Sequence, residues 1–370
     1  MGAAATARFH LSAGATMREP FNEAVALAAL AMIATHEGRF EEAEVFALDA
    51  LRRGQRFDRA NAAGLFGVQM FTLRRQQGRL KEVAPILRQF LDSEGQAATW
   101  RPGLAVLHCE LGASEEAREL FERLAVGGFA GLAQDAIRIA SLSYLAEVCA
   151  WLDDPVRAGT LFDLLSPYAG RNIVFGAHTA SFGSADRLLG MLASTQGRWK
   201  VAQHHFEHAL AFDESTGGRP WLARSRHEFA AMLLQRQAEG DIARARLLLD
   251  QVLDSARAMG MAGLEQASLA LSRQTLREPV VGAGTEAVPK PRHALESDAA
   301  PTPVAGLSRR EVQVLRLMAA GKTNQEIADA LFRSPNTVAN HVRSILTKTG
   351  TVNRAQATAF AARHGLLASE

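Results

Sequence analysis

The feature that most constrains this 370-residue chain is a recurrence: a turn-forming residue followed five positions later by a small apolar one. It occurs from Gly38 to Ala43, Gly78 to Val83, Gly112 to Ala117, Asp153 to Ala158, Gly197 to Ala202 and Gly240 to Ala245, at intervals of 40, 34, 41, 44 and 43 residues. Glycine suits the left-handed residue that closes a helix, and a small residue soon after lets the next helix lie close to the first. Apolar residues then continue at helical spacing, as in Ala202, Phe206, Ala209 and Leu210. The pattern predicts six helix pairs, a helical-hairpin solenoid in which each pair buries its face against its neighbours. With 48% hydrophobic, 22% charged and only 6% aromatic residues, the composition is that of a folded, helix-rich chain. The expected fold class is all-α.

Five of the twelve prolines fall between residues 278 and 305, mixed with glycine and small polar residues. Such a stretch is a semi-extended linker rather than a packed segment. The expected organisation is a flexible N-terminus over 1–20, a helical repeat domain that receives a signal or partner over 21–277, the linker over 278–305 and a small domain over 306–370. The longest run without a polar residue, Ala24 to Ala34, has eleven residues, well short of the roughly 20 that span a bilayer. No leucine-rich leader precedes it, so no membrane association and a cytoplasmic location are expected. Two cysteines, Cys109 and Cys149, make no disulfide framework. Charge is asymmetric: residues 306–370 carry nine basic and four acidic side chains, a net +5, on a body of −3. A basic domain at the end of an acidic body points to a polyanionic partner.

Within residues 306–370 four capping signatures follow one another. Ser308 with Glu311 and Thr323 with Glu326 have capping-box spacing, Ser334 precedes Pro335, and Asn353 with Gln356 repeats the logic. Gly321, Gly350 and Gly365 lie where helices should stop. Helices are therefore predicted near 309–320, 324–331, 335–349 and 354–364. Only Phe332 and Arg333 separate the second helix from the cap of the third, the short connection of a helix-turn-helix. On the third helix Val338, Val342, Ile345 and Thr349 form an apolar stripe fit to pack on Val314, Leu315, Ile327, Ala328 and Leu331. Opposite them Asn336, Asn340, Arg343 and Thr347 present hydrogen-bonding groups, and in a major groove Asn can read adenine and Arg guanine.

Residues 307–366, "LSRREVQVLRLMAAGKTNQEIADALFRSPNTVANHVRSILTKTGTVNRAQATAFAARHGL", resemble the LuxR-type helix-turn-helix domain almost end to end. The landmarks are Arg310-Glu311, Val314-Leu315, Gly321, Asn324, Glu326 to Ala328, Leu331, Ser334, Thr337-Val338, His341, Lys348 and Asn353-Arg354. The resemblance implies that Ala339, Asn340 and Arg343 face bases. It makes Thr323, Asn324, Thr337, His341, Lys348 and Arg354 candidates for phosphate contact or for holding the domain together. Many relatives carry lysine at the position of Ala339, so affinity should lean on Arg343 while alanine meets a thymine methyl. The last helix, with Ala355, Ala359 and Ala362 on one stripe, is where relatives pair into dimers. In the body, "GRLKEVAPIL", "WRPGLAVLHCELG", "LLSPYAGRN", "LGMLASTQGRWKVAQHHFEHAL" and "GDIARARLLLDQVL" are similar to the helical region of large ATPase-type LuxR regulators and related ATPase-cyclase proteins. The repeats also resemble the tetratricopeptide class at longer spacing. The ATPase domain of those large relatives is expected to be missing.

Gly321-Lys322-Thr323 resembles the end of a phosphate loop, but Arg316 stands where the first glycine is needed. His204 and His208 share a helical face without a third ligand, and a solvated face is the simpler reading. No metal, cofactor or catalytic constellation is expected, and hence no enzyme. The leading reading is a DNA-binding transcription regulator, a homodimer on double-stranded DNA, whose repeat domain senses an unidentified small molecule or protein. The alternative is a helical-repeat scaffold whose C-terminal domain docks protein rather than specific DNA.

Overall fold

The computed structural model describes residues 6–8, 12, 20–83, 97–176, 179–276, 307, 309–331 and 335–364. The linker expected at 278–305 and most of 1–20 lie outside the described residues, as do Ser308, Phe332, Arg333, Ser334 and Gly365. The described chain is overwhelmingly helical, and the all-α class holds. It forms two units, 1–272 and 273–370.

The body begins with α1 (Pro20–His36), α2 (Phe40–Gly54) and α3 (Arg59–Gln77). After residues 80–83 it resumes as α4 (Ala97–Glu110), α5 (Ser114–Ala125), α6 (Arg138–Leu152) and α7 (Pro155–Leu165). A two-stranded antiparallel hairpin follows, β1 (Asn172–Phe175) with β2 (Ala180–Ser184). Then come α8 (Ala185–Thr195), α9 (Trp199–Ser215), α10 (Arg219–Arg236), α11 (Asp241–Met259) and α12 (Ala262–Leu276).

The turn residues do what local stereochemistry requires. Gly38, Gly78, Gly112, Gly197 and Gly240 all have φ between 71° and 80°, and Asp153 takes φ 55°. At the first five turns in chain order, the residue after the turn donates its N–H to a carbonyl five positions back, for example Arg39 to Ala34 at 2.8 Å and Arg198 to Ala193 at 2.9 Å. Those bonds satisfy the orphan carbonyls of a helix end. The sixth differs: Gln237 takes the left-handed conformation and Gly240 begins α11. Ala43, Ala117, Ala158, Ala202 and Ala245 are all buried where the second helix of a pair meets the first.

The array is not open. Ala34, Phe40 and Ala43 of the first hairpin, with Met70 and Leu73 of α3, share one core with Ala223, Val252, Ala256, Met259 and Leu264 of α10, α11 and α12 and with Met261 of the last turn. The expectation that each pair contacts only its neighbours is corrected: hairpins some two hundred residues apart close on each other. The contact is backbone-tight, since a Cβ on Gly78 would stand 2.5 Å from the amide nitrogen of Gly263. Arg224 of α10 reinforces it, donating to Gln76 Oε1 at 2.8 Å and to the Arg75 carbonyl at 3.3 Å.

The β-hairpin, a short exception to the helical pattern, fills the interior. Every residue of β2 is buried. Phe182 packs edge-on against Tyr144, centroids 5.0 Å apart, and lies 6.3 Å from the Trp221 ring. Gly183 has φ 76°, and a Cβ there would meet Trp221 ring and Cβ atoms at 2.7–2.9 Å. Around this aromatic stack runs a buried ionic network. Glu147 of α6 accepts from Arg187 of α8 at 2.5 Å and is ion-paired with Arg75 of α3, nitrogen to oxygen 2.5 Å. Burial pushes the Glu147 carboxyl up, yet the two guanidiniums outweigh it and hold it at about 2. Asp213 of α9 accepts from the Ser184 amide at 3.1 Å and from Ser225 Oγ at 2.9 Å. Among the described residues no guanidinium is ion-paired with it, and burial raises it to about 6.

The histidine face of α9 is only partly solvated. His204 and His208 are exposed with rings 4.2 Å apart, whereas half-buried His205 bonds Asp186 through Nδ1 at 2.7 Å. Among the described residues no helix is long and apolar enough to cross a membrane.

Two outcomes follow from the interior. Gly183→Ala must adopt left-handed backbone against Trp221 and should cost about 3 kcal/mol in urea denaturation of the full chain. Asp213 folds best while protonated, so its contribution declines as pH rises from about 4 through about 6 and is constant beyond. Asp213→Asn should flatten the stability–pH curve over that window by about 2 kcal/mol, read by denaturation at stepped pH.

Candidate nucleic-acid interface

The second unit contains α13 (Arg309–Ala319), α14 (Asn324–Leu331), α15 (Pro335–Thr349) and α16 (Arg354–Arg363). Its core gathers Leu307, Val314, Leu315, Met318, Ile327, Ala328, Val338, Ile345, Ala357, Phe360 and Ala361, with Leu331 and Val342 packed against it. One stripe of α15 is thereby committed inward.

The helix starts are set by side chains. Thr323 and Glu326 form a reciprocal box: the Thr323 amide and hydroxyl donate to Glu326 Oε2 at 2.7 and 2.9 Å, and the Glu326 amide donates to Thr323 Oγ1 at 3.2 Å. These bonds hold the Glu326 carboxyl below its ordinary value. Asn353 caps α16, accepting from the Gln356 amide at 3.0 Å. Gly321 and Gly350 end α13 and α15 with φ 80° and 64°.

The angle between α13 and α15 rests on Glu311. This buried carboxylate accepts from Lys348 Nζ at 2.8 Å through each oxygen and from Ser344 Oγ at 2.5 Å. Lys348, a candidate phosphate ligand or support, thus has its Nζ on Glu311. Arg354 is likewise directed inward, donating to Asn324 Oδ1 at 3.3 Å and to the Lys322 carbonyl at the start of α14. Thr323 serves the cap of α14, and half-buried His341 lies on α15.

On the outer side of α15, Arg343 and Thr347 are exposed, with Thr347 Oγ1 donating to the Arg343 carbonyl at 3.1 Å. Ala339 is half-buried. Asn336, Thr337 and Asn340 fall on the same helix, and their side chains lie outside the described residues. The alanines of α16 divide cleanly: Ala355, Ala359 and Ala362 are exposed, while Ala357 and Ala361 face the core. Reasoning from sequence missed Glu311, which it assigned to a helix cap. The available signal was its spacing of 33 and 37 residues from Ser344 and Lys348, which carries meaning only once α13 and α15 cross.

Residues 305–361 match the family described as bacterial regulatory proteins, luxR family. The chain is 45% identical over 60 residues to the transcriptional regulatory protein YxjL of Bacillus subtilis, covering 16% of this chain and 28% of that protein. It is 42% identical over 65 residues to the transcriptional regulatory protein LiaR of Bacillus subtilis, 18% and 31% of the two chains. It is also 42% identical over 59 residues to the DNA-binding transcriptional activator DevR/DosR of Mycobacterium tuberculosis, 16% and 27%. The chain thus spans under a third of the length of these relatives. No solved structure matches the chain. The C-terminal unit is a helix-turn-helix domain of the luxR family, and its relatives are named transcriptional regulators.

Glu311→Gln leaves Lys348 without its counter-charge and should loosen α15 by about 1–3 kcal/mol. Hydrogen exchange on the full chain should show faster amide exchange in α15 and unchanged exchange in α8 and α10.

Proposed function

We propose that the protein is a sequence-specific DNA-binding transcription regulator in which α15 enters the major groove and the helical body senses a ligand or partner. The observation that carries this reading is the two-faced α15. Val338, Val342 and Ile345 anchor one side in the core, and Arg343 with Thr347 stands exposed on the other. Asn336, Ala339 and Asn340 share that helix and complete the proposed base-reading set, with Arg343 as the guanine reader. The net charge of +5 supplies the non-specific attraction.

Exposed Ala355, Ala359 and Ala362 leave α16 a flat small-residue face, and a homodimer on double-stranded DNA would close it and double the base contacts. A cytoplasmic regulator of this kind needs no cofactor or catalytic group. The body, a closed helical array with a filled interior, supports ligand or partner sensing through its packed core.

Selection of duplexes from a random pool by the full chain should recover inverted half-sites. Arg343→Ala should cost about 1–3 kcal/mol on the selected site and relax preference at one position. A scaffold that docks protein would show neither enrichment nor sensitivity to Arg343. Ala359→Glu should weaken binding to the two-half-site duplex far more than to a single half-site.

A further inference from the structure

We propose that the cleft between α1, α2 and α3, walled on one side by the tip of the β-hairpin, binds a neutral, predominantly apolar small molecule. Its volume is about 390 Å³, at the lower end of the roughly 300–1,000 Å³ usual for small-molecule sites. The space exists because the three helices present small residues to one another. Ala28, Ala47, Ala50 and Ala62 line it, and at its floor a Cβ on Gly54 would stand 2.9 Å from that of Ala62. Leu or Phe at those positions would have closed it.

The lining chemistry selects the occupant. Among the described lining residues none is lysine, arginine or histidine, so these residues offer an anionic headgroup no cationic partner. The formal charge at the rim is Asp58, which accepts from the Asn61 amide at 3.0 Å as the cap of α3 and would repel an anion. Gln69, buried at the inner end, donates its amide to the Ala28 carbonyl at 2.8 Å. With Asp58 and the Gln69 amide engaged in helix structure and most of the lining aliphatic or aromatic, apolar atoms are the favoured filling. At the mouth Phe21 and Phe57 are 61% and 53% exposed, with rings edge-to-face at 6.3 Å. Two aromatic rings left so open are what an apolar guest would cover. The N-terminal residue Ala7 packs instead on Ala29 and Leu30, a different face of α1.

The site has a mechanical outlet. Phe175, Gly176 and Thr179 at the hairpin tip form its wall, and β2 runs from there to Gly183 beneath Trp221 and to the Ser184–Asp213 bond. Filling the cleft therefore bears directly on the strand that occupies the centre of the body. This deepens the sensing role proposed above, and rests on it only for the consequence of binding.

The test uses the full chain and the neutral fluorophore N-phenyl-1-naphthylamine, with 1-decanol and decanoate as competitors. Saturable binding of one probe per chain is expected, displaced at least about tenfold more effectively by decanol than by decanoate. Ala50→Phe, which fills the cleft from a half-buried position, should weaken the probe by at least about tenfold. Phe21→Ala combined with Phe57→Ala, at exposed positions that leave the core intact, should weaken it by about fivefold. Absence of saturable binding, equal affinity in these variants, or equal displacement by decanoate would overturn the site as described. Binding that behaves as expected while operator affinity is unchanged by saturating probe would leave the site standing and sink the sensing role.

Discussion

The Glu147 carboxylate, shared between two guanidiniums, is the interaction on which the body depends. A buried carboxylate costs several kcal/mol in lost hydration, and the cost is met only where partners converge with good geometry. Here Arg75 arrives from α3 and Arg187 from α8, each at 2.5 Å, so three helices from three different hairpins must hold one register. Arg187 also lies over the Trp221 ring at 5.5 Å, which carries the constraint into α10. Trp221 presses on Gly183, and the strand so pinned offers Phe182 to Tyr144 and the Ser184 amide to Asp213. Closure of the array then follows: α10 is held where Arg224 reaches Gln76 and where the last hairpin meets the first.

The C-terminal domain uses the same device on a smaller scale. Glu311 ties α13 to the end of α15 through Lys348 and Ser344. That tie, with the buried Val338 and Ile345, decides which way α15 is rolled, and so leaves Arg343 outermost. Basic residues divide into two kinds that charge counting merges. Lys348 and Arg354 direct their heads to acceptors on other helices of the domain, and Arg343 is exposed on the other side of α15.

Legibility from sequence followed the range of the interactions involved. The first five turns could be read because each is set by bonds that close within six residues, and glycine, or Asp153 at modest strain, takes the conformation readily; the sixth, closed by left-handed Gln237 before Gly240, follows a different local pattern. The box at Thr323 and Glu326 is local in the same sense. The β-hairpin escaped because strands of four and five residues are too short to show a period within helical surroundings. Glu311 was visible but its role was not, since its partners lie more than thirty residues away.

Chain order and spacing were therefore enough to determine that this protein is helical, where its helices turn, and which stripe of α15 is apolar. These properties depend on backbone stereochemistry and on periods of a few residues. That the hairpins close on themselves, that a strand fills their centre, that Glu147 and Asp213 titrate in opposite directions, and that alanines on three helices leave a cleft were decided in three dimensions. Each arises where groups distant in sequence share one desolvated space, and the free energy of such a space belongs to the assembled neighbours rather than to any segment of the chain.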